Sequence, residues 1–337
     1  MSYSKGLTIL IPTYNRKDTL TQLLHALAKQ TNQSFGVIIS DNASDYDVYS
    51  ILNGLPENFK EKVKIYKRKI NCYADVNIID LFNLCQTEYA WTLSDDEYLH
   101  ADAVDKIYKY IDVMPEIGVF NFTLDNKRLQ KGEKKVIKDI DEFVNWYYDK
   151  HKHRNLQHSD LIFLSNKVFN MKLGSPYITW AYRYIYTRVS TEVIFLKMLE
   201  DCIPYCIVKD DIVEYNSDNP RSWRIYEVIL ASRTLSDIPL KPGKYNLKKL
   251  YCSLTFPINY VYYLYFCESP EKENINSFFD QIYHGIYKYF LSFSDKLILK
   301  IISIVTKKDI GYKLVKKVIC TFAKRKRTLM QTEEEEL

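Results

Sequence analysis

Residues 8–27 read TILIPTYNRKDTLTQLLHAL, and this stretch decides which fold class the sequence predicts. Its first part is a short apolar run ended by Pro12, which is typical of a buried strand. A polar loop follows, in which Asn15 with Asp18 predicts a helix cap. The second part predicts a helix, because four leucines share one helical stripe: Leu20, Leu23, Leu24 and Leu27.

The same alternation of strand and helix continues along the chain. Further strands are predicted in FGVIISD, KVKIYKRK, EYAWTL, IGVFNFTL and SDLIFLSNKVF, and helices in DVYSILNGL, ADVNIIDLFNLCQ, ADAVDKIYKYIDVM and TRVSTEVIFLKMLED. The strands are apolar throughout rather than alternating, which indicates an α/β fold with a mostly parallel sheet covered on both faces. Residues 126–139 are highly charged and predict an exposed hairpin or loop.

Two regions of different composition predict two domains. Residues 1–225 carry the strand–helix alternation, whereas residues 226–337 are tyrosine-rich, increasingly basic and of helical pattern. A catalytic α/β domain followed by a helical, basic-amphipathic region is the expected organisation.

The composition is that of an ordinary globular protein. The 337 residues are 47% hydrophobic and 26% charged, and the net charge of +5 is too small to indicate nucleic acid as a partner. The sequence has no apolar stretch long enough to span a bilayer and does not open on a signal peptide, so a cytoplasmic location is expected.

Polar clusters follow three of the predicted strands: PTYNR at residues 12–16, SDNASD at 40–45 and SDDE at 94–97. In open α/β sheets, ligands bind outside the carboxyl ends of the strands, so the three clusters are expected at one edge. The consecutive acids of the third cluster repel one another and resist burial without a counter-charge. A divalent cation bound to a diphosphate is the predicted counter-charge.

The segments TILIPTYNRKDTLTQLL, VIISDNASD and EYAWTLSDDEYLHADAV, in this order and spacing, resemble the nucleotide-binding half of family 2 glycosyltransferases of GT-A fold. The resemblance covers residues 7–125 and fades through residue 225. It is nearest to bacterial enzymes of O-antigen or capsular polysaccharide synthesis. It implies Mg²⁺- or Mn²⁺-dependent, inverting transfer of a sugar from a nucleotide-diphosphate donor to a saccharide or lipid-linked acceptor.

The resemblance also implies roles for the acidic cluster. Asp96 is the expected metal ligand, and Asp95 would face the ribose or the water shell of the metal. Glu97 stands where many relatives have a third aspartate. The alternative is a solvated acidic turn that favours the N-terminus of the next helix.

The other two clusters would contact the nucleotide. By resemblance, Asp41 would bind the base or ribose, with an Asx-turn as the alternative role. The residues of the first cluster that would border the nucleotide are Pro12, Thr13, Tyr14 and Arg16. Tyr14 could stack on the base, and Arg16 could pair with phosphate or be a surface charge. Arg221, in NPRSWR, would fold over the diphosphate or lie in a surface loop.

An inverting transferase needs a general base to deprotonate the acceptor hydroxyl. Relatives often carry an acidic pair at a helix start about one hundred residues after the metal motif, and here that position offers only Glu192. Asp160 is the rival, and Asp210 or Asp211 follows. A purely structural acid at a helix N-terminus is the alternative for Glu192.

Residues 295–327 alternate Ile, Leu and Val with lysines, the pattern of amphipathic helices that lie on an anionic membrane. Peripheral attachment to the inner face of the cell membrane is therefore expected, with a helical subdomain packed on the catalytic domain as the alternative.

A nucleotidyltransferase is disfavoured because IPTYNR lacks the glycines of a phosphate loop. A non-catalytic, membrane-docked nucleotide-sugar-binding scaffold is the remaining alternative.

Overall fold

The computed structural model describes residues 3–123, 128–147, 163–214, 238–240, 293–318 and 321. Two compact units divide the chain. The first comprises Met1–Trp146, Gln157–Ser222 and Asp237–Asn246, and the second Tyr147–Leu156, Trp223–Ser236 and Leu247–Leu337. The predicted division into residues 1–225 and 226–337 stays a prediction, since residues 215–237 lie outside the described ranges.

Within the described residues, the first unit is built on an eight-stranded sheet of order β3-β2-β1-β4-β8-β6-β9-β7. Strands β7 and β8 run opposite to the other six, so the sheet is mostly parallel, as predicted. The eight strands are β1 Ser4–Thr13, β2 Phe35–Asp41, β3 Val63–Lys67, β4 Thr87–Thr92, β6 Val119–Phe122, β7 Lys134–Ile137, β8 Lys167–Asn170 and β9 Tyr205–Val208.

A separate ribbon pairs β5, Tyr98–Leu99, with β10, Val213–Glu214, in antiparallel register. It holds the far end of the acidic loop 93–97, which therefore lies between two fixed strands, β4 and β5.

Helices are described in both units, and of those numbered here only α9 lies wholly in the second. They are α1 Lys17–Ala28, α2 Glu57–Lys60, α3 Tyr73–Leu84, α4 Ala103–Ile111, α5 Ile140–Tyr147, α6 Met171–Gly174, α7 Ile178–Arg183, α8 Ser190–Glu200 and α9 Phe293–Thr306. The four leucines predicted to form the stripe of α1 are all buried. Short 3₁₀ turns occupy Val48–Leu52, Ser175–Tyr177 and Ile185–Thr187.

The predicted cap of α1 is wrong. Arg16 occupies the cap position and makes no side-chain cap hydrogen bond. Asn15 instead adopts a left-handed φ of 52° and accepts a 3.0 Å hydrogen bond from the backbone N–H of Asp45. Asparagine tolerates this conformation better than most residues, so Asn15 links the loops after β1 and β2.

The prediction of an exposed hairpin or loop over residues 126–139 holds for residues 128–133, which form a mostly exposed turn, and is wrong for the residues that follow. Residues 134–137 form the edge strand β7, and its neighbour in sequence, α5, packs inward. Phe143 of α5 lies edge-to-face on Tyr205 of β9, with ring centroids 5.6 Å apart. The lysines that suggested a loop are typical of an edge strand, where they discourage pairing with other chains.

The second unit is described by two helical segments, α9 and residues 309–318. Across the described part of the chain, no helix combines the length and the apolar character that a bilayer crossing needs.

Candidate active site

Three polar loops meet where strands β1, β2 and β4 end, because these strands are parallel neighbours. Thr13 is in register with Asp41, and the backbone N–H of Asn42 donates to the carbonyl of Thr13 at 2.9 Å. The backbone N–H of Asn15 donates to Ser44 Oγ at 2.8 Å. The loops after β1 and β2 therefore form one surface, to which the β4 loop adds its acids.

Asp95 is buried against the end of β1. Its Oδ2 accepts a 2.6 Å hydrogen bond from Thr13 Oγ1. Burial raises the pKa of Asp95 to about 7 and outweighs the lowering by the Thr13 hydrogen bond and the positive charge of Arg16. The first residue of the acidic cluster is thus held by the first polar loop.

Asp96 is the most accessible of the three acids, with 22% of its side chain exposed. The guanidinium of Arg16 forms an ion pair with its Oδ2, and Ser94 Oγ donates to its Oδ1 at 2.6 Å. In this structure the counter-charge of the acidic cluster is therefore an arginine from the β1 loop.

Glu97 is buried and turned toward the loop before β8. Its Oε1 accepts a 3.1 Å hydrogen bond from Ser165 Oγ, while Oε2 has no hydrogen-bond partner among the described residues. Burial, and after it the charge of Asp96, raises the pKa of Glu97 to about 8. Glu97 therefore attaches the acidic loop to the loop before β8, because its carboxyl accepts a hydrogen bond from Ser165.

Asp41 ends β2 and is fully buried. Its Oδ1 accepts from the backbone N–H of Ser44 at 3.1 Å and from Ser44 Oγ at 2.5 Å, which is the Asx-turn role. Its Oδ2 is buried without a hydrogen-bond partner in the described part of the chain. One carboxylate oxygen shapes the loop, and the other makes no hydrogen bond to the described residues.

Pro12 and Tyr14 flank Thr13 at the same edge. Pro12 is in register with Ser40 of β2, and the Tyr14 side chain is 46% exposed. An accessible ring beside the polar loops is available for stacking.

A polar network that the sequence did not reveal lies behind the loop after β3. Asn77 Oδ1 accepts from Ser40 Oγ at 2.6 Å and from Arg68 Nε at 3.0 Å. The guanidinium of Arg68 also pairs with Asp80, which accepts from the hydroxyl of Tyr182 on α7. The network connects the end of β3 to α7, where Tyr182 lies 102 residues after Asp80.

Glu192 lies in the first turn of α8 and is buried. Its Oε2 accepts from Thr191 Oγ1 at 3.2 Å, and its Oε1 has no hydrogen-bond partner in the described ranges. Burial raises the pKa of Glu192 despite the opposing positive charge of Lys167, and the negative charge of Asp75 adds to the rise. A carboxyl group with a raised pKa and a spare oxygen can accept a proton.

The rival acids are placed differently. Asp210 lies 3.9 Å from the ammonium of Lys106 and 3.8 Å from that of Lys109, both on α4, so it is part of an ion-pair cluster. The backbone carbonyl of Asp211 accepts from Lys106 Nζ at 2.7 Å. Asp160 and Arg221 lie outside the described residues.

The acidic cluster fits a divalent cation by the chemistry of its donors. No group of three or more His, Cys, Asp or Glu side chains in the described ranges is arranged to hold a metal ion. Mg²⁺ and Mn²⁺ need only one or two carboxylates when phosphate and water complete the shell. Asp96 is partly accessible and has two carboxylate oxygens, so it could supply one such ligand.

The model for glycosyl transferase family 2 matches residues 8–174, which run from β1 to α6 and include all three polar loops. Residues 8–174 belong to this family. The glycosyltransferase domain thus extends beyond residue 125, where the sequence resemblance began to fade.

Among curated proteins, the abequosyltransferase RfbV of Salmonella typhimurium is 27% identical over 113 residues, which are 33% of this chain. The match spans 34% of the length of that protein.

Solved structures show the fold. S. aureus TarS 1-349, solved with UDP, has 15% identity and a TM-score of 0.57 over 93% of this chain and 90% of that chain. The mannosyltransferase PcManGT of Pyrobaculum calidifontis, solved with GDP-Man and Mn²⁺, has 12% identity and a TM-score of 0.51 over 95% and 86%. The glycosyltransferase domain therefore has the GT-A fold that its sequence predicted.

Proposed function

We propose that the protein is a metal-dependent, inverting glycosyltransferase. It transfers a sugar from a nucleotide-diphosphate donor to a saccharide or lipid-linked acceptor in the synthesis of a bacterial surface polysaccharide. The abequosyltransferase relative supports the O-antigen class, and the complexes of TarS with UDP and of PcManGT with GDP-Man support a nucleotide-sugar donor.

One observation carries the proposal. The acidic loop after β4 is joined to the loop after β1 by the Thr13–Asp95 hydrogen bond and the Arg16–Asp96 ion pair. Acids, an arginine and an exposed tyrosine thereby share the edge of a parallel sheet at which nucleotides bind. The spare oxygen of Asp41 gives that edge a buried acceptor for a donor group of the base or ribose.

Asp96 would be the protein ligand of a Mg²⁺ or Mn²⁺ ion, and Asp95 would orient its water shell or the ribose. The ion would neutralise the diphosphate and so make the nucleotide a better leaving group. Arg16 would add a second positive charge beside the phosphates.

Glu192 would act as the general base. Burial raises the pKa of its carboxyl above the usual glutamate value, and its Oε1 has no competing hydrogen bond in the described part of the chain. The role requires the acceptor hydroxyl to reach Glu192 on the face opposite the leaving nucleotide.

Peripheral attachment to the inner face of the cell membrane belongs to the same proposal. On α9, exposed apolar side chains recur at helical spacing at Phe293, Leu297, Ile301 and Ile304, and on the next helix at Ile310, Leu314 and Val318. Exposed lysines accompany both stripes at Lys300, Lys307, Lys308, Lys313 and Lys317. Apolar stripes with lysines are attracted to anionic lipid, where a lipid-linked acceptor is found.

The test is a thermal-shift screen of nucleotide sugars with and without Mn²⁺, followed by an assay for released nucleotide with the donor that stabilises the fold. Asp96→Asn should abolish the metal-dependent shift and reduce turnover by about a hundredfold or more. Asp112→Asn, at an exposed acid that follows α4 and lies in none of the three polar loops, is the matched control and should behave as the wild type. Full activity of Asp96→Asn refutes the metal assignment.

The burial of Glu192, which is only 4% exposed, favours one alternative, a nucleotide-sugar-binding scaffold whose base no acceptor can reach. The same assay separates the two functions. A scaffold is stabilised by its nucleotide sugar but never releases free nucleotide, with or without an added acceptor.

A further inference from the structure

Arg16 and a divalent cation require the same carboxylate. The guanidinium lies on Asp96 Oδ2, and the other oxygen accepts from Ser94. Guanidinium has five N–H donors and no acceptor, so Arg16 cannot itself join a metal shell. Two cations on one carboxylate oxygen repel each other, and a partly buried position screens that repulsion poorly.

The backbone of Arg16 is fixed, whereas its side chain is partly exposed. The Arg16 carbonyl accepts from the backbone N–H of Leu20 at 3.0 Å and from Thr19 Oγ1 at 3.3 Å. The side chain is 17% exposed and lies at the ligand edge of the sheet. Rotation about the side-chain bonds can therefore carry the guanidinium from one anion to another without moving α1.

We propose that Arg16 is an exchange residue: it neutralises Asp96 while the site lacks a donor and transfers to the diphosphate when a divalent cation takes its place. This inference rests on the proposed function, because the diphosphate belongs to the proposed donor. Bidentate Arg–phosphate pairing supplies the partner that Arg16 loses at Asp96.

The exchange has an energetic consequence. Without nucleotide, Arg16 competes with the cation for Asp96 and weakens cation binding. With nucleotide bound, Arg16 has a second anion to bind, so the two ligands assist each other beyond their direct contact. Loss of Arg16 should therefore have opposite effects on the two ligands measured singly.

The experiment compares the wild type with Arg16→Gln, Arg16→Lys and Lys17→Gln. Lys17 is exposed and next in sequence, so Lys17→Gln removes the same charge without removing the ion pair. Mn²⁺ binding is followed by the loss of the free-ion electron paramagnetic resonance signal, first with the metal alone. Binding of UDP and of GDP is then measured by calorimetry without divalent cation, and thermal denaturation checks that each variant is folded.

Arg16→Gln is expected to tighten Mn²⁺ binding by about fivefold, since a partly exposed ion pair contributes about 1 kcal/mol. The same variant should weaken binding of the preferred nucleoside diphosphate by about tenfold. Arg16→Lys should lie between, and Lys17→Gln should stay within about twofold of the wild type.

The other possible outcomes contradict the exchange, the proposed donor or both. Unchanged Mn²⁺ affinity in Arg16→Gln, or an equal gain in Lys17→Gln, refutes the exchange while nucleotide binding still supports the transferase. Tighter Mn²⁺ binding with no binding of either nucleotide by any protein refutes a UDP- or GDP-linked donor and leaves Arg16 only as a competitor of the metal. No Mn²⁺ binding by any protein refutes both.

Discussion

The hydroxyl of Thr13 donates a 2.6 Å hydrogen bond to the buried carboxylate of Asp95, 82 residues away in sequence. This contact joins the end of β1 to the acidic loop after β4, so the geometry of the acids depends on a residue of the first strand. A buried carboxylate that loses its donor cannot recover the bond from water.

Thr13→Val should therefore lower the free energy of unfolding by about 1–3 kcal/mol, because it keeps the side-chain shape and deletes the donor. Urea denaturation near neutral pH measures the change. Thr13→Ser, which keeps the hydroxyl, is the control and should lose less than Thr13→Val. Equal stability of Thr13→Val and the wild type would show that the bond contributes nothing.

Glu192→Gln should change the pH dependence of the free energy of unfolding, an effect that can be measured separately from turnover. The raised pKa of Glu192 means that the folded chain holds this proton more tightly than the unfolded chain. Its contribution to the free energy of unfolding is therefore full below about pH 4.5 and declines as the pH rises through the folded pKa. Glutamine removes that decline, so the stability of Glu192→Gln relative to the wild type should increase as the pH rises from about 4.5 through the folded pKa.

Turnover of Glu192→Gln should fall by about 10²–10⁴-fold while donor binding persists, because a general base is lost. The acid limb of the wild-type rate profile should also lie above the usual glutamate pKa. Glu57→Gln, at an exposed glutamate, controls for charge removal. Undiminished turnover of Glu192→Gln would remove Glu192 from the role of base.

Gly118 and Gly174 provide a matched pair around Met198. A Cβ at Gly118 would lie 2.4 Å from Met198 Cε and 2.6 Å from Ile203 Cγ2, whereas one at Gly174 would lie 3.5 Å from Met198 Sδ. Gly118→Ala should cost about 1–3 kcal/mol of stability through overpacking. Gly174→Ala should be tolerated, and similar losses in the two variants would contradict this account.

Cys202 and Cys206 should differ in reactivity. Cys206 is buried in β9, and burial raises the pKa of its thiol to about 12, whereas Cys202 is exposed. At pH 8 only about one Cys206 thiol in ten thousand is ionised. Brief treatment with iodoacetamide and peptide mass spectrometry should find Cys202 modified and Cys206 intact. Equal labelling would mean that β9 opens readily.

The apolar stripe of α9 should support lipid binding. Leu297→Ser with Ile301→Ser should reduce co-sedimentation with phosphatidylglycerol vesicles by about tenfold or more. The control is Ile70→Ser with Val113→Ser, which removes exposed apolar residues of the first unit. Binding that survives in the α9 variant, or that is equal on uncharged vesicles, would argue against the membrane role.

The sequence predicted the sheet where local pattern and burial agree. The strand of residues 6–12, the leucine stripe of α1 and the order of the three polar loops were all readable, because parallel strands place their carboxyl ends together. The family match and the fold of TarS agree with that interpretation.

Two kinds of feature were not readable. The lysines of the edge strand β7 and the acids of the first turn of α5 concealed both elements, since charge was taken as a sign of exposure. The pairing of Arg16 with Asp96, and of Tyr182 with Asp80, joins side chains 80 and 102 positions apart, which no local pattern encodes. Arg16 was expected to pair with phosphate, and the apo partner became visible only in three dimensions.

Strand β8 lies between β4 and β6, although it follows both in the chain. During synthesis, β4 and β6 therefore lack a neighbour on one side until residues 167–170 have been made and β8 pairs with both. A fragment ending near residue 150 would expose the open sides of both strands and be prone to self-association. Shortened versions of the protein should therefore retain the chain past Asn170, even when only the early ligand-binding loops are of interest.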